Sequence, residues 1–263
     1  MITAFLRCTY NKVAKKNSQS TVKLILFVTL MLAATAYIFY YASKPTFVRY
    51  PAFGIDIPVN YSIHGIDVSH HQRQIDWDDV KAMQIKNVQI GFSFIKATEG
   101  ADDRDSNFKR NWKGAKKSGM PRGAYHFFNP FKSGIMQAQN YIRTVRLQPG
   151  DLPPVLDVEQ IHRVSKVDLQ QRVNDWLVLV ENHYKVKPII YTGADFYAKY
   201  LAGKFDNYPL WVAHYFVRDK PRVKRPWTFW QHNEAGHVNG IATYVDFNVF
   251  NGDSADFANL LIK

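Results

Sequence analysis

The chain of 263 residues is 46% hydrophobic and 21% charged, as suits one globular domain with an additional segment. A single cysteine, Cys8, excludes an internal disulfide, so the domain must be stable through its core alone. Of the formal net charge of +12, five positive charges fall in the first 23 residues (Arg7, Lys12, Lys15, Lys16 and Lys23), leaving 12 − 5 = +7 for the remainder.

Residues 24–42 form an apolar run without charge, and about 20 such residues span a bilayer as a helix. The cations before it, with no acid among them, place residues 1–23 in the cytoplasm and send the rest outside. Tyr37, Tyr40 and Tyr41 fall where an aromatic belt belongs. Ala34-Thr35-Ala36 resembles a signal-peptide cleavage site, but the apolar run continues past it and exceeds the roughly 7 to 15 residues of a signal core. A retained anchor is the preferred reading. Export argues against a nucleic-acid partner and favours anionic lipid head groups or an anionic wall polymer. Much of the positive excess lies in Arg218, Lys220, Arg222, Lys224 and Arg225, around Pro221. A solvated loop is the simpler account of that run, and a wall- or membrane-facing surface the sharper one.

Residues 43–63, with Pro45, Pro51 and Pro58, read as an extended tether, whose roughly 20 residues reach at most about 70 Å. From His64 onward short β-rich runs alternate with helical patterns, which predicts parallel strands with helical crossovers. Strands are expected at 63–68, 88–97, 123–128, 152–160, 188–192, 210–215, 227–231 and 244–250. Helices are expected from Asp76 through Val80, Met83 and Ile85, then at 107–117, 133–145, 167–184 and 254–261. The longest carries Leu169, Val173, Trp176, Leu177 and Val180 at spacings of three and four, so one face is buried. This is a β/α barrel pattern in about 200 residues, short for eight full repeats, so some helices should be missing.

The stretch 152–160, Leu-Pro-Pro-Val-Leu-Asp-Val-Glu-Gln, carries the chemistry. Alternation along a strand puts Asp157 and Glu159 on one face. Repulsion between neighbouring carboxylates raises one pKa, so one group stays protonated beside an ionised partner. Glycoside hydrolysis needs such a pair. Taken alone, the two acids could equally cap the next helix or pair with Arg163. Asp67, Glu99 and Asp246 also fall at or near strand ends, and in such barrels the chemistry sits at the C-terminal ends of strands. Tyr125, His126, Tyr191, Trp211, Tyr215 and Trp230 accompany them, and an aromatic face packs against the apolar face of a pyranose. Phe92, Phe94 and Phe127 are expected in the core.

Several motifs then occur in order: Gly65-Ile66-Asp67-Val68-Ser69, Ile75-Asp76-Trp77, Phe94-Ile95-Lys96-Ala97-Thr98-Glu99-Gly100, Arg122-Gly123-Ala124-Tyr125-His126-Phe127, Leu156-Asp157-Val158-Glu159, Ile190-Tyr191-Thr192, Leu210-Trp211-Val212-Ala213, Trp230-Gln231 and Val245-Asp246-Phe247-Asn248. From His64 to the C-terminus the chain resembles glycoside hydrolase family 25, the Chalaropsis-type lysozymes. The resemblance implies an incomplete (β/α) barrel and a muramidase cleaving the β-1,4 bond from N-acetylmuramic acid to N-acetylglucosamine in peptidoglycan. It implies Glu159 as general acid, Asp157 at the anomeric carbon, and Asp67 and Asp246 completing an acidic floor. Tyr125, Tyr191, Trp211 and Trp230 would contact sugar, with Lys96, Glu99 and His126 in support. Asp157 would act as nucleophile or would orient the substrate's own acetamido group, and both routes imply retention.

With the apolar run as anchor, the expectation is a single-pass protein of the bacterial cytoplasmic membrane. Its domain, residues 64–263, would stand outside the cytoplasm, monomeric, without cofactor or metal. His70-His71 departs from the family's usual continuation and leaves one cleft wall open to question. No His-Glu-x-x-His or His-x-x-x-His spacing suggests zinc. The competing readings are a chitinase-like glycosidase, an anchored wall-binding protein without catalysis, and a zinc-dependent deacetylase or amidase. The chitinase-type acidic run before the Glu is absent, every expected acid is present, and zinc spacing is lacking.

Overall fold

The computed structural model describes residues 2–42, 46–217 and 219–263, and within the first helix the side chains of residues 20–40. The side chains of Arg7, Cys8, Lys12, Lys15, Lys16 and Tyr41, the start of the expected tether at Ser43, and Arg218 lie outside the described residues. The chain divides into two compact units, Met1–Pro45 and Thr46–Lys263.

The first unit is one helix, α1 (Ile2–Ala42). It extends through the basic segment because no Gly or Pro interrupts these residues. Its apolar part, Ser20–Tyr40, is long and apolar enough to cross a membrane. Thr29 and Thr35 donate their hydroxyls to backbone carbonyls of Ile25, Leu26 and Met31, which satisfies those polar groups within the helix.

The second unit opens with an antiparallel hairpin, β1 (Phe47–Tyr50) and β2 (Ile55–Pro58), where an extended tether was expected. Tyr50, Phe53, Ile55 and Ile57 are buried, the Phe53 ring lies 5.4 Å from that of Phe247, and His237 N donates to Phe53 O at 2.8 Å. Residues from Thr46 onward therefore belong to the folded domain. Ile55 and Ile57 flanking Asp56 carried the period-two signal, while Pro51 and Pro58 merely mark the turn and the strand's end.

Eight strands close a ring: β3 (His64–Val68), β5 (Val88–Glu99), β7 (Arg122–Phe127), β8 (Val155–Asp157), β9 (Ile189–Gly193), β10 (Leu210–Ala213), β11 (Phe229–Gly236) and β12 (Val245–Phe250). All neighbours from β3 round to β11 pair in parallel, whereas β12 is antiparallel to both β11 and β3. Two short strands, β4 (Gln84–Ile85) and β6 (Asp103–Arg104), pair antiparallel with β5. Outside the ring stand α2 (Trp77–Ala82), α3 (Phe108–Lys117), α4 (Gly134–Thr144), α5 (Lys166–Tyr184) and α6 (Ala194–Phe196), the last running into a π-helical turn at Tyr197–Leu201. Asp76, Ser133 and Ser165 accept backbone N–H bonds as helix caps. The helix expected through Ile85 ends at Ala82, where Met83 turns extended and leads into β4. Among the described residues no helix joins β10 to β11 or β11 to β12, so the barrel is closed in its strands and incomplete in its helices.

Packing follows the alternation of each strand. Phe92, Phe94, Val155, Ile189, Tyr191, Trp211 and Phe229 share one buried cluster that fills the ring. The bulk of Phe92 and Phe94 requires glycine opposite: a Cβ at Gly65 would lie 2.4 Å from the Phe92 ring, and one at Gly123 2.5 Å from that of Phe94. The intervening residues, Ile66, Ile95, Ala124, Leu156, Ile190 and Val212, face the helices together with Leu169, Val173, Trp176, Leu177 and Val180 of α5. The closing helix α7 (Ser254–Leu260) sets Phe257 against Phe92 and Phe250 at 5.7 and 5.2 Å, sealing the end of the barrel where the parallel strands begin.

Candidate active site

The opposite end, where the parallel strands finish, is an open cleft lined by Asp67, Lys96, Tyr125, Asp157, Tyr191 and Trp211, with Asp246 from the reversed strand. Because β12 runs backwards, its first residues lie at this mouth, and Asp246 sits directly opposite Asp67 in the β3–β12 register.

Asp67 is the most constrained acid. Its Oδ2 accepts hydrogen bonds from Gln231 Nε2 and Asn248 Nδ2, each at 2.8 Å. Both amides are held by others: Tyr191 OH donates to Gln231 Oε1 at 2.8 Å, Tyr215 OH donates to the same oxygen, and Trp211 Nε1 donates to Asn248 Oδ1 at 2.8 Å. An amide oxygen already accepting leaves its NH₂ to point the other way, so these aromatics aim two donors at Asp67. Burial pushes the Asp67 carboxyl up, while the bonds from Asn248, Gln231 and Asp246 hold it down. Asp246 is pushed up to about 9, first by burial, then by the charge of Asp67 and the bond to it, with Glu234 and Glu159 adding. Asp246 therefore keeps its proton at neutral pH and shares it with Asp67.

Asp157 ends β8 with its carboxyl buried, and among the described residues its Oδ1 has no hydrogen-bond partner. Burial, then the charges of Glu159 and Asp67, push it well above the ordinary carboxylate range, with Lys96 opposing. β8 stops two residues short of Glu159, yet Val158 N still donates to Tyr191 O at 2.9 Å, so the chain stays extended and Glu159 returns to the cleft side. Solvent reaches the Glu159 side chain at the lip. The cleft walls nonetheless desolvate its carboxyl enough to raise it, Asp67 adds to this, and Lys96 opposes. Lys96 Nζ bonds Glu99 Oε2 at 2.7 Å and lies 4.8 Å from the centre of the Phe127 ring. The cleft thus gathers four carboxyl groups, each inclined to hold a proton longer than usual, with Lys96 beside them.

Of the expected sugar-contacting residues, Tyr125, Tyr191, Trp211 and Lys96 line the cleft. His126 and Trp230 do not, and alternation is the reason: Tyr125 and Gln231 take the inward positions on β7 and β11, so their neighbours must face out. His126 is fully buried beneath the helices, stacked on Trp176 and bonded to Thr98 and Gln137. Trp230 is fully buried on the barrel's outer side, its Nε1 donating to His214 O at 2.9 Å. Glu99 stands outside the lining and reaches the site only through Lys96. Gln231, Asn248 and Glu234 were not anticipated. A polar residue at an inward strand position, as at Gln231 and Asn248, is the signal that identifies the first two.

The departure at His70-His71 builds a wall rather than removing one. Asp105 Oδ2 accepts from both the backbone N and the Nδ1 of His70 at 2.8 Å, and the His70 ring lies 4.0 Å from that of His71, which lines the cleft. Among the described residues no group of three or more His, Cys, Asp or Glu side chains is placed to hold a metal ion.

Comparison with known proteins agrees with this architecture. The Escherichia coli K12 protein YegX is 46% identical over 226 residues, covering 86% of this chain and 82% of its own. Lysozyme M1 of Streptomyces globisporus is 34% identical over 209 residues, covering 73% of this chain and 69% of its own. A solved family 25 glycosyl hydrolase from Bacillus anthracis superposes with a TM-score of 0.71 at 33% identity, covering 78% of this chain and 96% of that one. The profile of the glycosyl hydrolases family 25 matches residues 66–241, and the chain belongs to that family of glycoside hydrolases.

Proposed function

We propose that the protein is a membrane-anchored muramidase that hydrolyses the β-1,4 bond between N-acetylmuramic acid and N-acetylglucosamine in peptidoglycan, with retention. The observation that carries this reading is the placement of Asp157 and Glu159 together in one cleft above the proton-sharing Asp67 and Asp246. The kinship with Lysozyme M1 supports the substrate.

Glu159 would hand a proton to the leaving oxygen, and its exposure at the open lip and its raised pKa support that role. Burial raises both Asp157 and Glu159, and the charge of Glu159 adds to the rise at Asp157. An N–H arriving at the unpartnered Asp157 Oδ1 would stabilise the ionised form and leave the proton to Glu159. The 2-acetamido group of the substrate supplies such an N–H, and this favours Asp157 as the group that orients it. Residues 1–23 would remain in the cytoplasm, the apolar part of α1 would hold the chain in the bilayer, and the domain would face the wall.

Digestion of purified peptidoglycan by the full chain, followed by borohydride reduction and mass spectrometry, tests the assignment. Reduced muramic acid at new ends is expected, and Glu159→Gln should lower its release by roughly 10² to 10⁴-fold. Substantial release by a folded Glu159→Gln variant would refute the role of Glu159, and new ends on glucosamine instead would refute the bond assignment.

A further inference from the structure

The connection from β10 to β11 carries an unusual aromatic. Phe216 is completely exposed and holds a left-handed backbone, φ +56°, a conformation uncommon for a bulky residue. Its neighbours on either side are fastened down: Tyr215 bonds to Gln231 in the cleft, and Val217 is buried against the barrel's outer wall. The ring between them stands free in solvent. Directly after it, Lys220, Arg222 and Lys224 are exposed, countered in that stretch only by Asp219 among the described residues. Arg225 is spoken for, its guanidinium bonded to the carbonyls of Phe205 and Tyr208.

The position of this loop in the domain identifies what it meets. Val217 shares its cluster with Trp230 and Val249, and Phe47 and Trp227 pack against the same group. The Phe47 and Trp230 rings are 5.9 Å apart. Phe47 is the first residue of the first strand, seven positions after Tyr40, where the apolar part of α1 ends. Those seven steps reach no more than roughly 25 Å even when fully extended. The Phe216 loop thus packs on the strand by which the chain enters the domain, a few residues after the apolar part of α1.

We infer that the loop formed by Phe216, Lys220, Arg222 and Lys224 docks the domain onto an anionic lipid surface, the ring entering the interfacial layer and the cations meeting head groups. This rests on α1 being the membrane anchor. Because Tyr215 lines the cleft, docking fixes the height and tilt of the cleft above the bilayer.

The test uses the full chain with Cys8→Ser, an environment-sensitive fluorophore on Asp219→Cys, and reconstitution into phosphatidylethanolamine vesicles with or without phosphatidylglycerol. A second protein labelled at Lys117→Cys, exposed at the end of α3, serves as reference. Phosphatidylglycerol should shift the emission of the label at 219 to the blue. High salt or Lys220→Ser with Arg222→Ser and Lys224→Ser should abolish the shift, Phe216→Ser should weaken it, and the label at 117 should not respond. Identical, water-like emission at both positions in vesicles that carry the protein would overturn the docking surface while leaving the anchor intact. A response at 219 to purified peptidoglycan but not to lipid would overturn it in favour of a wall-facing loop. Failure of the protein to float with vesicles would remove the anchor, and the docking surface with it.

Discussion

Replacing Asp246 by Asn should make the protein more stable at neutral pH and flatten the pH dependence of its stability. The Asp246 carboxyl is pushed up to about 9 in the folded protein, whereas in an unfolded chain it titrates near 3.9. Between those values the folded state holds a proton that the unfolded chain has released, so stability falls as pH rises from about 4 to about 9. With about 1.36 kcal/mol per pH unit, the penalty relative to a permanently neutral side chain is on the order of 1–2 kcal/mol at pH 5 and about 4 kcal/mol at pH 7. Asn is neutral throughout, close in shape, and keeps an N–H to donate to Asp67. The variant should therefore gain up to about 3 kcal/mol more at pH 7 than at pH 5. Urea unfolding in detergent, followed by tryptophan fluorescence, measures this, since all six tryptophans lie in the second unit. A variant with the same pH slope as the parent, or one less stable at both pH values, would refute the shared proton.

Two other outcomes follow from packing. Trp230→Ala should cost about 3–5 kcal/mol of stability and leave KM unchanged wherever the protein remains folded, because Trp230 is buried away from the cleft. A raised KM at undiminished stability would return Trp230 to the substrate. Gly123→Ala should destabilise by about 1–3 kcal/mol, since the new Cβ meets the Phe94 ring at 2.5 Å and Leu152 Cβ at 3.1 Å. Adding Phe94→Leu should recover part of that loss, and a double variant no better than the sum of the two single changes would show that the ring is not the obstacle.

Where local rules dominate, the structure was legible in advance. The five apolar positions of α5 are all buried, and Asp76 and Ser133, where helices were expected to begin, cap them. The acids Asp67, Asp157, Glu159 and Asp246 meet in one cleft. The hairpin at 47–58 was hidden by its prolines, although its short alternation of apolar residues was present. His126 and Trp230 could have been set aside from sequence, because adjacent residues on a strand cannot both face the barrel interior. The support of Asp67 could not be read in this way. Gln231 and Asn248 lie 164 and 181 positions from the aspartate they bind, and their donors face it only because Tyr191, Tyr215 and Trp211 occupy their oxygens. Such an arrangement exists only after the ring has closed.

The reversal of β12 also decides where further sequence could be attached. Running against its neighbours, that strand delivers the chain to the end of the barrel opposite the cleft, where α7 seals the base and Ile262 exchanges backbone hydrogen bonds with Gly150 and Asp151. A module or reporter fused after Lys263 would emerge on the face away from the carboxylates and leave the glycan's approach unobstructed. Had the last strand run with the others, the same fusion would have emerged at the rim of the cleft.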